Sequence, residues 1–314
     1  MRVAILGVSN IARSSAKAMI EAGMQIIAIL SRDIAKAEAF KVELGAMKAY
    51  DDYELLLEDE DIDTVYVGLP NSLHYEYAKK ALMHKKNVLL EKPFTLRYSE
   101  ALELKNLAVA RHLYLFETIT TLYQPLLADL HEDIAKIMPL HSVILNFSKY
   151  SAKYDEFLEG KLPNVFNEKM GGGAFYDLNI YNLHLAYDLF GRPKKAVYEA
   201  NYQRAIDTSG VMTLSYHGFF VSAIAGKDAQ SKPFALFSGE KGYIYLDGAP
   251  SIIKGYELHL KDQEPIVKKD DTNAYTNEFK VMERIFKKGL YKTHLDVLER
   301  SLQVMKVADE LLSK

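Results

Sequence analysis

Met1-Arg2-Val3-Ala4-Ile5-Leu6-Gly7-Val8-Ser9-Asn10-Ile11-Ala12 is the stretch whose reading decides the fold. Residues 3–6 are a short apolar run without polar alternation, as in a strand buried on both faces. Gly7 follows at once, and residues 11–22 then carry apolar positions at helical spacing. A glycine turn leading from a buried strand into a helix is the local plan of a dinucleotide site. Its first glycine makes the tight turn, its second lets the pyrophosphate approach, and its third, small residue lets the helix pack on the strand. Gly7 and Ala12 fill the first and third roles. Ser9 stands at the middle position, where its hydroxyl can donate to a phosphate while the helix N-terminal amides supply the rest. Gly7, Ser9, Asn10 and Ile11 are therefore the expected pyrophosphate contacts.

Working outward, the same alternation repeats. Residues 26–30, 64–67, 88–90 and 113–116 are compact strand-like runs, and residues 34–44, 73–84 and 99–111 are helical in period. Buried strands that each feed a helix build a parallel sheet covered on both sides, and right-handed crossovers make it doubly wound. The second strand runs out into Ser31-Arg32-Asp33. An acid at that tip would accept from the ribose of NAD, whereas an arginine suits the 2′-phosphate of NADP. Ser31 and Arg32 come first and Asp33 is placed to cap the next helix, so NADP is the expected cofactor and NAD the alternative.

After about residue 117 the pattern changes. One helical stretch spans residues 174–190. Strand-like pieces then follow at 196–202, 210–216, 219–224, 234–237 and 243–246, with turns at His217-Gly218 and Gly239-Glu240-Lys241-Gly242. Strands in succession without helices imply an open, mainly antiparallel sheet. Helices over residues 274–287 and 294–312 close the second domain. The expectation is an α/β Rossmann domain over residues 1–118 and an α+β substrate and oligomerisation domain over 119–314, with the C-terminal helix free to pack back on the first.

Further motifs resemble the glucose–fructose oxidoreductase/inositol dehydrogenase (GFO/IDH/MocA) family. They are Gly68-Leu69-Pro70-Asn71-Ser72-Leu73-His74, Asn87-Val88-Leu89-Leu90-Glu91-Lys92-Pro93 and Gly171-Gly172-Gly173-Ala174-Phe175-Tyr176-Asp177-Leu178-Asn179-Ile180-Tyr181. The resemblance spans nearly the whole chain. It implies NAD(P)-dependent hydride transfer on a sugar-, polyol- or dihydrodiol-like hydroxyl or carbonyl, with Lys92, Tyr181 and Asp177 in the catalytic positions. Pro70, Asn71, Glu91 and Lys92 fall at strand ends, where doubly wound folds bind their ligands, and join Ser31 and Arg32 as expected cofactor contacts. His74 either touches cofactor or substrate or lies on the surface of an early helical turn. An ammonium beside a phenol favours ionisation of the phenol, which leaves Tyr181 or Lys92 as the proton carrier. At α-helical pitch Asp177 and Tyr181 lie about 40° apart and His184 about 20° from Asp177, so carboxylate, phenol and imidazole share a stripe. The family commonly has glycine where Asn179 stands, and a carboxylate where His184 stands. Thr120 and Leu122 replace an aromatic residue and an arginine of its dihydrodiol-dehydrogenase-like members. Asn179 and His184 are therefore expected near the substrate.

The chain has 314 residues and no cysteine, with 39 Lys and Arg against 42 Asp and Glu. That excludes disulfides, cysteine metal sites and a thiol nucleophile, and no metal site is expected. The near-balanced charge argues against nucleic acid or an anionic membrane as partner, and no apolar run approaches the ~18 residues of a membrane span. A small-molecule substrate, a cytoplasmic location and a homo-oligomer through the C-terminal sheet complete the expectation. The rival readings are a catalytically silent NAD(P)-binding regulator and an NAD-dependent glycoside hydrolase.

Overall fold

The computed structural model describes residues 1–313. The chain divides into two units, Met1–Thr118 with Asn273–Met305, and Ile119–Thr272 with the residues from Lys306 onward.

In the first unit, β1 (Arg2–Leu6), α1 (Asn10–Glu21), β2 (Gln25–Leu30), α2 (Ile34–Leu44), β3 (Lys48–Tyr50), α3 (Tyr53–Glu58), β4 (Thr64–Val67), α4 (His74–Met83), β5 (Asn87–Glu91), α5 (Tyr98–Ala110) and β6 (Leu115–Thr118) follow one another. The six strands form a parallel sheet in the order β3-β2-β1-β4-β5-β6. Strands β4, β5 and β6 are buried along their whole length, which is why they read as apolar runs without alternation. The order reverses between β1 and β4, the switch point where such sheets bind ligands. The pair β3 and α3 escaped the sequence reading because each is too short to show a period.

The second unit carries α6 (Leu126–Ile137), β7 (Leu140–Ser148), α7 (Tyr154–Leu158), α8 (Ile180–Phe190), β8 (Lys195–Gln203), β9 (Ile206–Ser215), β10 (Phe220–Gly226), β11 (Phe234–Gly239), β12 (Gly242–Asp247), β13 (Gly255–Leu260) and β14 (Ile266–Lys269). Its eight strands are ordered β14-β13-β12-β11-β7-β10-β9-β8. All pairs are antiparallel except β7 with β10, which run parallel at the centre. The hairpin between β11 and β12 turns on Glu240-Lys241, as its sequence predicts. One face packs on α6 and α8. The other leaves Val211, Phe220 and Tyr243 exposed.

The last helices require a correction. The sequence reading closes the second domain with both and leaves only the C-terminal one free to pack back; α9 (Ala274–Lys287) belongs to the first unit as well, together with α10 (Tyr291–Leu312) as far as Met305. There α9 packs on α1, Phe279 meets the edge of Tyr66 at 6.5 Å, and the Leu115 N–H donates to His294 Nε2 at 2.9 Å. The apolar face of a helix does not encode which sheet covers it, so local pattern left this open.

Candidate active site

The switch point of the first unit is assembled from glycines. Gly7 has φ +95°, and a Cβ there would lie 3.0 Å from the Gly68 carbonyl oxygen. Its N–H donates to Leu30 O at 3.0 Å, while the Gly68 N–H reaches Leu6 O at 3.3 Å, so the ends of β1, β2 and β4 draw together. Ser9 caps α1 by accepting the Ala12 N–H on its hydroxyl oxygen at 3.2 Å, which leaves the hydroxyl proton to donate outward. Ser9, Asn10 and Ile11 are all exposed at the positive end of a 12-residue helix. Asp33 is committed to capping α2, accepting the Ala35 and Lys36 N–H groups at 3.1 and 3.4 Å. Hydrogen bonding from Lys36 holds its carboxyl below the usual range. Arg32 beside it is exposed and ion-paired with no described residue. A dinucleotide fits these residues: Gly7 leaves room for close backbone approach, α1 presents amides, and Arg32 presents a guanidinium.

The carboxyl ends of β4 and β5 supply the remaining residues of this unit. Pro70 and Asn71 are half-buried, and Lys92 is half-buried ahead of a cis bond to Pro93. Two expected contacts are turned inward instead. His74 is fully buried, with Nδ1 2.8 Å from Pro93 O and Nε2 3.0 Å from Leu69 O. It ties the Pro70 loop to the Lys92-Pro93 loop and offers neither ring nitrogen to a ligand, so it is neither a cofactor contact nor a surface histidine. Burial pushes its imidazole down. Glu91 is likewise buried and accepts the Tyr66 hydroxyl at 2.6 Å, while that hydroxyl also meets Ser15 Oγ at 3.0 Å. Burial pushes the Glu91 carboxyl up.

In the second unit the glycine run is an internal packing device. A Cβ on Gly172 would meet Asn164 O at 2.8 Å, and one on Gly173, whose φ is +115°, would meet Asp207 Oδ1 at 1.9 Å. Asp207 in turn accepts the Phe175 N–H and the Tyr198 hydroxyl, each at 2.7 Å. Residues Phe175–Asn179 form a π-turn before α8 begins, so the α-helical stripe inferred from the sequence does not hold. Its i→i+5 bonding turns the chain less per residue than an α-helix does. Asp177 and Tyr181 are half-buried, and the Tyr181 ring stands edge-on to Phe147 at 5.6 Å. His184 is buried, at 1% exposure. Asn179 is fully buried, donating to Ala223 O at 3.3 Å and accepting from Asn182 at 2.8 Å. It pins the turn to β10, and that corrects its expected place near the substrate.

Sequence reading missed two groups. Lys227 is 1% exposed and its ammonium lies 2.8 Å from Asp177 Oδ2. Asp207, 9% exposed, anchors the start of the turn. A signal for Lys227 existed: alternation that buries Val221, Ala223 and Ala225 in β10 carries on inward to residue 227. The aromatics Tyr154, Phe157 and Phe166 pack with Ile206 in a buried cluster.

The architecture is that of a nucleotide-dependent dehydrogenase: a doubly wound binding unit followed by a sheet unit that holds a carboxylate in a π-turn and a phenol at the start of the helix that follows. Comparison with known proteins gives the family. Residues 1–118 match the model for the oxidoreductase family with an NAD-binding Rossmann fold, and residues 140–245 match the GFO/IDH/MocA C-terminal domain. The chain belongs to the GFO/IDH/MocA family and is an NAD(P)-dependent oxidoreductase. It is 30% identical over 249 residues to an uncharacterized oxidoreductase of Escherichia coli, covering 79% of this chain and 76% of that one. It is 29% identical to a scyllo-inositol 2-dehydrogenase (NADP(+)) of Bacillus subtilis, covering 91% and 88%. A 3-ketoreductase from Actinomadura kijaniata, solved with NADP and TDP-benzene, has the same fold at a TM-score of 0.88 and 24% identity, covering 100% and 97%. Among the described residues no helix is long and apolar enough to cross a membrane, and no three His, Cys, Asp or Glu cluster as metal ligands.

Proposed function

We propose that the chain is an NADP-preferring dehydrogenase or reductase of a polyol or sugar-like substrate. Lys92 sets its ammonium beside the reacting oxygen, Tyr181 carries the proton, and Asp177 orients a substrate hydroxyl. The observation that carries this reading is a division of labour among the polar residues. Lys92, Asp177 and Tyr181 keep part of their side chains accessible, whereas Glu91, His74, Asn179 and His184 are buried. When bound, the nicotinamide supplies or takes up the hydride, and the protein is left to orient the substrate and move one proton. Ser9, Asn10 and Ile11 hold the pyrophosphate through α1. Arg32 holds the 2′-phosphate, and Ser31, Pro70 and Asn71 border the nucleotide. The polyol assignment draws on the inositol dehydrogenase relative.

The same reading places the enzyme in the cytoplasm, which suits a cysteine-free chain, and sets a second copy against the exposed sheet face bearing Val211, Phe220 and Tyr243. Light scattering tests the pairing: a monomer that stays a monomer at high concentration removes it. The activity test is a screen of inositols, hexoses and dihydrodiols with NADP and NAD, read at 340 nm. Turnover of a polyol faster with NADP than with NAD supports the proposal. Sugar release without net change in reduced cofactor favours a glycoside hydrolase, and cofactor binding with no reaction on any of them favours a regulator.

A further inference from the structure

We propose that Lys227 is a positioning residue of the catalytic turn, its buried ammonium fixing the Asp177 carboxylate from beneath. The proposal rests on the oxidoreductase reading of Asp177 and extends it to a residue outside the motifs.

Lys227 follows the last residue of β10, and its backbone is held on both sides: its N–H donates to Thr208 O at 2.8 Å and its carbonyl accepts from Ser151 N at 2.9 Å. Its side chain is 2% exposed. The ammonium donates to Val165 O at 2.7 Å and to Asp177 Oδ2 at 2.8 Å, and it lies 4.5 Å from the centre of the Phe166 ring. An ammonium taken out of water is costly unless carbonyls and a carboxylate compensate it. Here the compensating carboxylate is itself 34% exposed. The pair is sealed at its cationic end and open at its acidic end, which is the arrangement that places a carboxylate at a surface with little freedom to turn.

The rest of the surroundings point the same way. Asp177 sits inside a π-turn, whose hydrogen bonding is less regular than that of α-helix and is often found at functional sites. The start of the turn is held by Asp207 through the Phe175 N–H, its middle by Lys227 through Asp177, and its end by Asn179 through Ala223 O. Val165 O receives both the Lys227 ammonium and the Gly173 N–H, at 2.7 and 3.1 Å, so one carbonyl joins the glycine run to the cation. Loss of the cation releases the carboxylate and with it the orientation of the turn that leads into α8, where Tyr181 stands.

Two measurements test this on the full chain. With a substrate identified by the screen, Lys227→Met should lower kcat by on the order of 10²-fold through misplacement. NADPH affinity should stay unchanged, and the acid limb of kcat/KM should move to higher pH, because a carboxylate without its neighbouring cation is protonated more readily. Unchanged kcat and an unchanged acid limb overturn the proposal. The second measurement needs no turnover. Asp177→Asn leaves a buried cation uncompensated and should lower the Tm, and adding Lys227→Met to it should raise the Tm again. A double variant no more stable than Asp177→Asn overturns the proposal. Failure of the wild-type chain to turn over any substrate counts against the oxidoreductase reading of the site, and the Tm comparison then decides Lys227 by itself.

Discussion

At the tip of β5, Glu91 and Lys92 are neighbours in sequence and opposite in environment. The first is buried against Tyr66, whereas the second, just past the strand end, is half-buried. Lys92→Met keeps most of the stem and removes the charge. It should leave NADPH affinity intact, as measured by fluorescence titration, and lower turnover by ~10²–10⁴-fold. Near-normal turnover at 340 nm would defeat the assignment. Arg32 is exposed next to an Asp33 already used as a helix cap. Arg32→Ala should therefore weaken NADPH by roughly 10–100-fold, the worth of a charged hydrogen bond, and leave NADH nearly untouched. Equal losses for both nucleotides would remove the 2′-phosphate contact. At this scale the motifs were legible, but the direction in which each side chain points was not. His74, Glu91 and Asn179 all sit inside matching motifs, and all are committed to the interior.

Among the elements, the two glycine turns look alike on paper and do different work. Gly7 lets the end of β1 lie against the backbone of Gly68, whereas Gly173 clears space for the Asp207 side chain at a helix start. Gly173→Ala must place a methyl within 1.9 Å of the Asp207 carboxylate at φ +115°, and it should cost about 2–5 kcal/mol through strain plus overpacking. Gly45 caps α2 at φ +69° with nothing within 4 Å, so Gly45→Ala should cost only about 1–2 kcal/mol, the price of a left-handed residue. Urea unfolding of the two variants checks the ranking, and equal losses would show that the contact with Asp207 relaxes freely. The long helices of the first unit's alternating part were legible to within a residue or two, but α6 was missed and α10 begins three residues before its expected start. The π-turn was not, since its one-residue excess leaves no mark in apolar spacing. The central strand β7 was missed although it lies between β11 and β10. Its outward Asn146 is buried and its Phe147 only half-buried, which blurs the alternation by which a strand is recognised.

Across the whole molecule, the return of α9 and most of α10 to the first unit makes that unit depend on residues far along the chain. His294 on α10 is fully buried, with Nε2 accepting the Leu115 N–H at 2.9 Å. Burial pushes its imidazole down to about 4. The unfolded chain takes up a proton near pH 6.5 and the folded one resists until about 4. Stability from the neutral ring is therefore complete above about pH 6.5 and is lost as pH falls through that window, by about 3 kcal/mol in all. Burial lowers His74 in the same sense, while it raises Glu91, which acts oppositely. The informative quantity is thus the difference between the wild type and His294→Gln. Urea unfolding at pH 7 and pH 5 should show the wild type losing more stability on acidification than the variant. Parallel curves would mean that the ring is protonated without cost.

What the sequence by itself determined was the strand and helix alternation of the doubly wound first unit, the succession of strands that follows it, the strand-tip motifs and the family they belong to. Each of these is written in local terms, as spacing, turn residues and caps, and local terms survive whatever the rest of the chain does. Only the tertiary structure decided which unit holds α9 and α10, that β7 and β10 run parallel at the centre of the second sheet, and that Lys227 and Asp207 hold the π-turn. Those outcomes depend on which surfaces meet and on what a buried charge finds there. Contacts between residues fifty positions apart leave no period in the sequence from which they could be read.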